Sequence, residues 1–186
     1  MNIGFALCGS FCTYDAVFPV MEELATHHRV IPIFSFSGSS IDTRFGQACD
    51  HISLVESICG APALRTLADV EPIGPKKLLD ALVIAPCTGN TLAKLAHSIA
   101  DTPVTMAAKS HLRNGRPVIL AISSNDALAG AAENIGKLLA RKHYYFVPFG
   151  QDDPTQKPTS MIADFQQIPA TVSAALEGRQ IQPILL

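Results

Sequence analysis

The feature that most constrains this chain is a repeated sequence unit. A short apolar run ends in a small polar turn, and residues spaced for one helix face follow it. Ile3 to Leu7 ends in Cys8-Gly9-Ser10, and Val17, Val20, Met21 and Leu24 then recur at helical spacing. Val30 to Phe36 runs into Ser37-Gly38-Ser39-Ser40. Leu82-Val83-Ile84-Ala85 is followed by Pro86-Cys87-Thr88-Gly89-Asn90-Thr91, then by Leu92, Leu95, Ala96 and Ile99 on one face. Pro117 to Ile122 ends in Ser123-Ser124-Asn125-Asp126, and Leu128, Ala131, Ile135, Leu138 and Leu139 follow. Tyr144 to Phe149 completes the series. A strand apolar at successive positions is buried on both faces, as in a parallel sheet covered by helices on each side. Strands alternating with helices pair in parallel through right-handed crossovers. The expected fold is α/β, a three-layer α/β/α sandwich with a parallel sheet, flavodoxin/Rossmann-like. Its first strand is expected to be central, and residues 1–186 to form one domain.

Other stretches are less regular. Pro62, Pro72 and Pro75 break residues 41–80 into short pieces. Pro103 precedes a helix over Val104 to Leu112, which Asn114-Gly115 stops. Gly150 to Ser160 reads as a polar loop, and a last helix starting near Pro169 buries Val172, Ala175 and Leu176. The balance of 14 Lys and Arg against 16 Asp and Glu leaves no basic stripe for nucleic acid. No apolar run reaches the ~20 residues of a membrane span, and no signal peptide is read at the start. Cys8, Cys12, Cys49, Cys59 and Cys87 form no CxxC. Free thiols in a reducing cytoplasm are the simplest reading.

In such sheets ligands sit beyond the carboxyl ends of the strands, at a switch in strand order. Three turns fall at that edge: Gly9-Ser10, Thr88-Gly89-Asn90-Thr91 and Ser123-Ser124-Asn125. Helix N-termini with glycine and hydroxyls suit a phosphate, although each hydroxyl is equally what a helix uses as its N-cap. There is no GxGxxG and no P-loop, so a mononucleotide fits better than a dinucleotide or ATP. His27, His28, His51, His97, His111 and His143 show no metal or nucleophile spacing and read as surface or helix-face residues. Cys87 reads as a small buried thiol, Asp152-Asp153 as solvated charge, and Arg113 and Arg116 as flanks of a wet turn. No metal site and no catalytic base emerge.

The stretch from Ala85-Pro86-Cys87-Thr88-Gly89-Asn90-Thr91 through Lys94 and Ala96 to Asp101 resembles the homo-oligomeric flavin-containing Cys decarboxylase family. That resemblance implies FMN, held by Gly9, Ser10, Ser35, Ser37, Thr88, Asn90, Thr91, Ser123 and Asn125. The phosphate is expected near Ser10 and Ser37, and the isoalloxazine near Thr88 and Asn90. Ile122-Ser123-Ser124 replaces the Pro-Ala-Met that the family places before its Asn. The family's decarboxylating members also carry a His about a dozen residues before the Ala-Pro step; Pro72-Ile73-Gly74 stands there instead.

A narrower resemblance runs through Met106 to Pro117, Ser123 to Leu128 and Tyr145 to Pro154, and is to the branch of dipicolinate synthase B subunits. It implies an FMN-binding oxidoreductase subunit that oxidises dihydrodipicolinate, a small dicarboxylate, during sporulation. It further implies a partner A subunit carrying the NAD(P) site, and a homo-oligomer. The partner surface is expected near Gln151-Asp152-Asp153-Pro154. A stand-alone FMN-dependent decarboxylase and a non-catalytic assembly subunit remain open alternatives.

Overall fold

The computed structural model describes all 186 residues. In chain order the elements are β1 (Asn2–Leu7), α1 (Tyr14–His27), β2 (Arg29–Phe34), α2 (Phe36–Ser40), α3 (Ala48–Cys59), α4 (Leu67–Val70), β3 (Ala81–Cys87), α5 (Gly89–Ala96) and α6 (Pro103–Leu112). Then come β4 (Val118–Ser124), α7 (Ala132–Leu139), β5 (Tyr144–Phe146), β6 (Phe149–Asp153), β7 (Lys157–Ala163) and α8 (Ile168–Leu176). The parallel strands lie in the order β2-β1-β3-β4-β5. The helices α1 and α8 cover one face, α3 flanks α1 and β2, and α5, α6 and α7 cover the other face. Every residue of β3 is buried, as befits the middle strand of a sheet covered on both sides. The α/β sandwich is therefore the observed fold. β1 is interior, but the centre belongs to β3.

The sheet is mixed rather than wholly parallel. What reads as a polar loop over Gly150 to Ser160 is the antiparallel hairpin β6–β7. Its β7 pairs with the far end of β4, Ser123 opposite Ile162 and Ser124 opposite Met161. At the turn, Asp153 Oδ1 accepts the Thr155 and Gln156 N–H groups at 3.0 and 2.9 Å. Gln151 and Asp152 are exposed. Charge on an outer strand protects its free edge, and it removes the apolar alternation that reveals a strand in a sequence.

Other boundaries shift for local reasons. β2 stops at Phe34 because Ser35 caps α2, its Oγ accepting the Gly38 N–H at 3.1 Å. α7 starts only at Ala132, because the preceding turn is tied to the hairpin: the Leu128 N–H donates to the Thr159 carbonyl at 3.0 Å. Leu128 is consequently exposed; Leu139 at the end of α7, Ile99 beyond the end of α5, and Leu176 are exposed as well. α6 runs as its flanking Pro and Asn-Gly suggest, and Pro169 lies in the first turn of α8. Between Ile84 and Cys87 the β3–β4 register shifts at Pro86, which has no N–H to give to the ladder.

Candidate functional site

In a sheet ordered 2-1-3-4-5 the chain leaves β1 and β3 in opposite directions, which opens a crevice beyond their carboxyl ends. Two adjoining cavities of about 400 and 420 Å³ occupy that crevice and share Gly9 and Thr88. The first is walled by Ser10, Ser123 and Asn125, the second by Ser35, Ser37, Asn90 and Thr91. All nine residues singled out from the sequence thus line one continuous cleft.

Local chemistry explains their positions. Thr88 is the N-cap of α5, and its Oγ1 accepts the Thr91 N–H at 3.3 Å. Thr91 Oγ1 in turn donates to Cys8 Sγ at 3.3 Å, which ties the ends of β1 and β3 together. Ser10 and Ser123 hydroxyls meet at 2.7 Å and link β1 to β4. At Gly9 an added Cβ would lie 3.3 Å from Ser37 Cβ, and at Gly89 it would lie 2.7 Å from Ser124 Oγ. A larger residue at Gly89 would have to displace the Ser124 and Asp126 side chains. Ser10 faces Ser123 in one cavity while Ser37 lines the other, and Gly9 belongs to both.

The hairpin supplies a wall that sequence reading missed. Asp152, Lys157, Ser160, Met161 and Ile162 line the first cavity. Lys157 Nζ meets Asp152 Oδ2 at 2.7 Å, and that carboxylate holds the ammonium above its ordinary pKa. Ser160 Oγ donates to Asn125 Oδ1 at 3.4 Å. Opposite charges either side of Pro154-Thr155-Gln156 were the available signal for a hairpin here. In the second cavity Phe11, Phe36 and Ile41 add apolar surface, and Lys94 is its sole cation, bound to Asp101 at 2.7 Å. No carboxylate lines that second cavity.

The thiols and imidazoles can be sorted by environment. Cys8 and Cys87 are fully buried; burial pushes the Cys8 thiol up to about 11 and raises Cys87 as well, so both stay protonated. Cys12 is exposed in the cleft, with its sulfur 3.9 Å from Ser10 Oγ. All five cysteines are free. Neither cavity contains a histidine. His51 is buried on α3 instead, edge-on to Tyr14, with Nε2 against the Phe45 carbonyl at 3.1 Å. His111 is buried on α6 against the Pro117 carbonyl, also at 3.1 Å. Arg116 is committed to the backbone of Lys77 and Leu79 and to Asp80, and Asn114 donates to the Gly74 carbonyl at 2.9 Å, so this turn is a structural joint. No helix is long and apolar enough to cross a membrane.

The cleft fits a flat, phosphorylated cofactor: hydroxyl and amide donors, a glycine-lined floor, apolar flanks and no carboxylate in the second cavity. The chain is 48% identical over 186 residues to the dipicolinate synthase B subunit of Bacillus subtilis (strain 168), covering all of this chain and 93% of that one. The crystal structure of the dipicolinate synthase B subunit from Bacillus halodurans superposes with a TM-score of 0.91 at 45% identity, over 100% of this chain and 95% of that one. DmrB of Burkholderia xenovorans, a cubic protein cage for redox transfer solved with FMN, shares the fold, with a TM-score of 0.70 at 17% identity over 95% of each chain. The family model described as Flavoprotein matches residues 1–176. With that match and a full-length relative at nearly half identity, this chain belongs to the flavoprotein family, on the branch of the dipicolinate synthase B subunits.

Proposed function

We propose that this chain binds FMN in the cleft between β1 and β3 and works as the B subunit of a dipicolinate synthase. The observation that carries the reading is the convergence of Gly9, Ser10, Ser35, Ser37, Thr88, Asn90, Thr91, Ser123 and Asn125 on one crevice, in a member of a flavin-binding family. FMN supplies two-electron redox chemistry when bound. Ser35, Ser37, Asn90 and Thr91, on the carboxylate-free side, are the residues to hold its anionic and polar parts. Ser10, Ser123 and Asn125 line the other side, where the substrate is to lie and where Lys157 is held by Asp152. Oxidising a dihydrodipicolinate removes a hydride and a proton, and NAD(P)+ becomes NAD(P)H. The ring's aromatisation favours product, so the protein's main task is orientation.

Without GxGxxG or a P-loop, the NAD(P) site is assigned to a partner A subunit. The hairpin at the cleft mouth, including Gln151 to Pro154, is its docking region. Exposed Phe36, Ile41 and Phe45, each more than 40% accessible beside the cleft, suit a homo-oligomer contact. Free cysteines throughout accord with a cytoplasmic enzyme, and its relatives' branch is the reason to place its work in sporulation. A stand-alone decarboxylase is disfavoured because no histidine reaches the cleft.

Two measurements test the proposal. Titration with FMN should produce the shifted visible spectrum of a bound flavin. Dipicolinate formation from the dihydro precursor with NAD(P)+, followed by ultraviolet absorbance, should require both subunits. Turnover by this chain alone at the rate of the mixture refutes the two-subunit reading. Failure to bind FMN while the mixture still works leaves an assembly subunit.

A further inference from the structure

A further cavity of about 590 Å³ lies outside the cleft and shares no residue with it. It lies toward the opposite end of the strands. Its walls are the end of α5 and the loop after it, the outer side of α6, and the residues leading into β5. From this cavity we infer a second small-molecule site, for an organic dianion with an aromatic or apolar body.

The lining sets the charge of the ligand. Lys109, Arg113, Arg141, Lys142 and His143 face the cavity and no carboxylate does, in a chain of formal net charge −2. Arg141 is committed elsewhere: its guanidinium donates to the Leu95 and Ala96 carbonyls at 2.9 and 2.7 Å, closing the end of α5. The ion pairs of the molecule use Lys94, Arg116, Lys137, Lys157 and Arg179. Lys109, Arg113 and Lys142 have no carboxylate partner. Like charges gathered without counter-charge repel one another, and a bound anion relieves that repulsion.

The floor sets the body of the ligand. Leu95, Leu112 and Tyr144 lie beneath the cations, and Ile99 at its edge is 47% exposed. Apolar walls with a few convergent charges are the usual make-up of a small-molecule pocket, and the volume lies in the usual range. Two backbone features hold the rim: Ser98 and His143 both adopt left-handed conformations, at φ 59 and 68°. Ser98 does so where α5 ends, the Ile99 N–H turning back to the Lys94 carbonyl at 2.8 Å.

The test is calorimetric titration of the whole chain with isophthalate and with 1-naphthyl phosphate, aromatic dianions of the two headgroup types, and with benzoate as a single-charge control. At least one dianion should bind, more tightly than benzoate, and more weakly as salt rises. The double variant Lys109→Gln/Arg113→Gln removes two charge-assisted contacts and should lose affinity roughly tenfold or more. Its FMN titration should stay unchanged, which separates this site from the proposed flavin cleft. Lys157→Gln, in that cleft, should leave dianion binding intact. The inference is overturned if neither dianion binds, if benzoate binds as well as both, or if binding survives the double variant. Loss on Lys157→Gln instead would assign the anion to the cleft and overturn it equally.

Discussion

Asn90 occupies the second position of α5, exposed at the lip of the cleft. Replacing it with Asp separates folding from binding. A carboxylate in the first turn of a helix complements the positive end of its dipole, so stability should hold or rise slightly. The same charge beside an anionic cofactor, with an amide donor lost, should weaken FMN binding by roughly tenfold. A fluorescence titration read beside a thermal melt checks both, and unchanged FMN affinity would count against the site. His111 gives a pH signature of its own. Burial is the main cause that holds its pKa down to about 4 from the usual 6.5, only partly offset by its bond to the Pro117 carbonyl. A depressed folded-state value means that the unfolded chain takes up protons first as pH falls. Stability should thus be full above about 6.5 and decline toward pH 4, by up to about 3 kcal/mol from this group. His111→Gln, which retains a donor for Pro117, should flatten that part of a urea-midpoint series against pH.

At the level of elements, β4 is a fork. Val118 to Leu120 pairs in parallel with β5, while Ser123 and Ser124 pair antiparallel with β7. The outer strand β6 is tied in turn by the chain's last residues: the Phe149 N–H donates to the Ile184 carbonyl at 3.0 Å, and the Leu186 N–H to the Phe149 carbonyl at 3.1 Å. Removing residues 184–186 should speed amide exchange at Phe149 to Asp153, read by mass spectrometry, and leave exchange in β1 and β3 unaltered. What was legible in the sequence follows the same division. The parallel strands are buried on both faces, so Ile3 to Leu7 and Leu82 to Ala85 announce themselves as continuous apolar runs. The hairpin is wet on its outer side, and Gln151-Asp152-Asp153 carries no periodicity to read. Strand-to-helix turns marked the Thr88 and Ser123 walls of the cleft. Lys157 and Ser160 escaped notice because they reach it from a partner strand more than thirty residues further on, and pairing at that distance leaves no local trace.

Across the whole molecule, the two ends of one sheet differ in chemistry. The carboxyl end is neutral and rich in hydroxyls, its cations Lys94 and Lys157 already bound to Asp101 and Asp152. The far end gathers unpaired cations over an apolar floor. The buried parallel strands separate the two, and no side chain belongs to both. The fork in β4 has a consequence for how such a protein can change over generations. The strands that form the crevice, β1 and β3, contribute nothing to the hairpin, and the hairpin joins the sheet only where β4 has already passed them. Insertions, deletions or altered charges at the turn between Asp153 and Lys157 can therefore accumulate without disturbing the side of the crevice built by Gly9, Ser37, Thr88 and Thr91. The arm is a replaceable module: descendants of one flavoprotein scaffold can rewrite one wall of the crevice within a segment of about fifteen residues, while inheriting the opposite wall, between β1 and β3, intact.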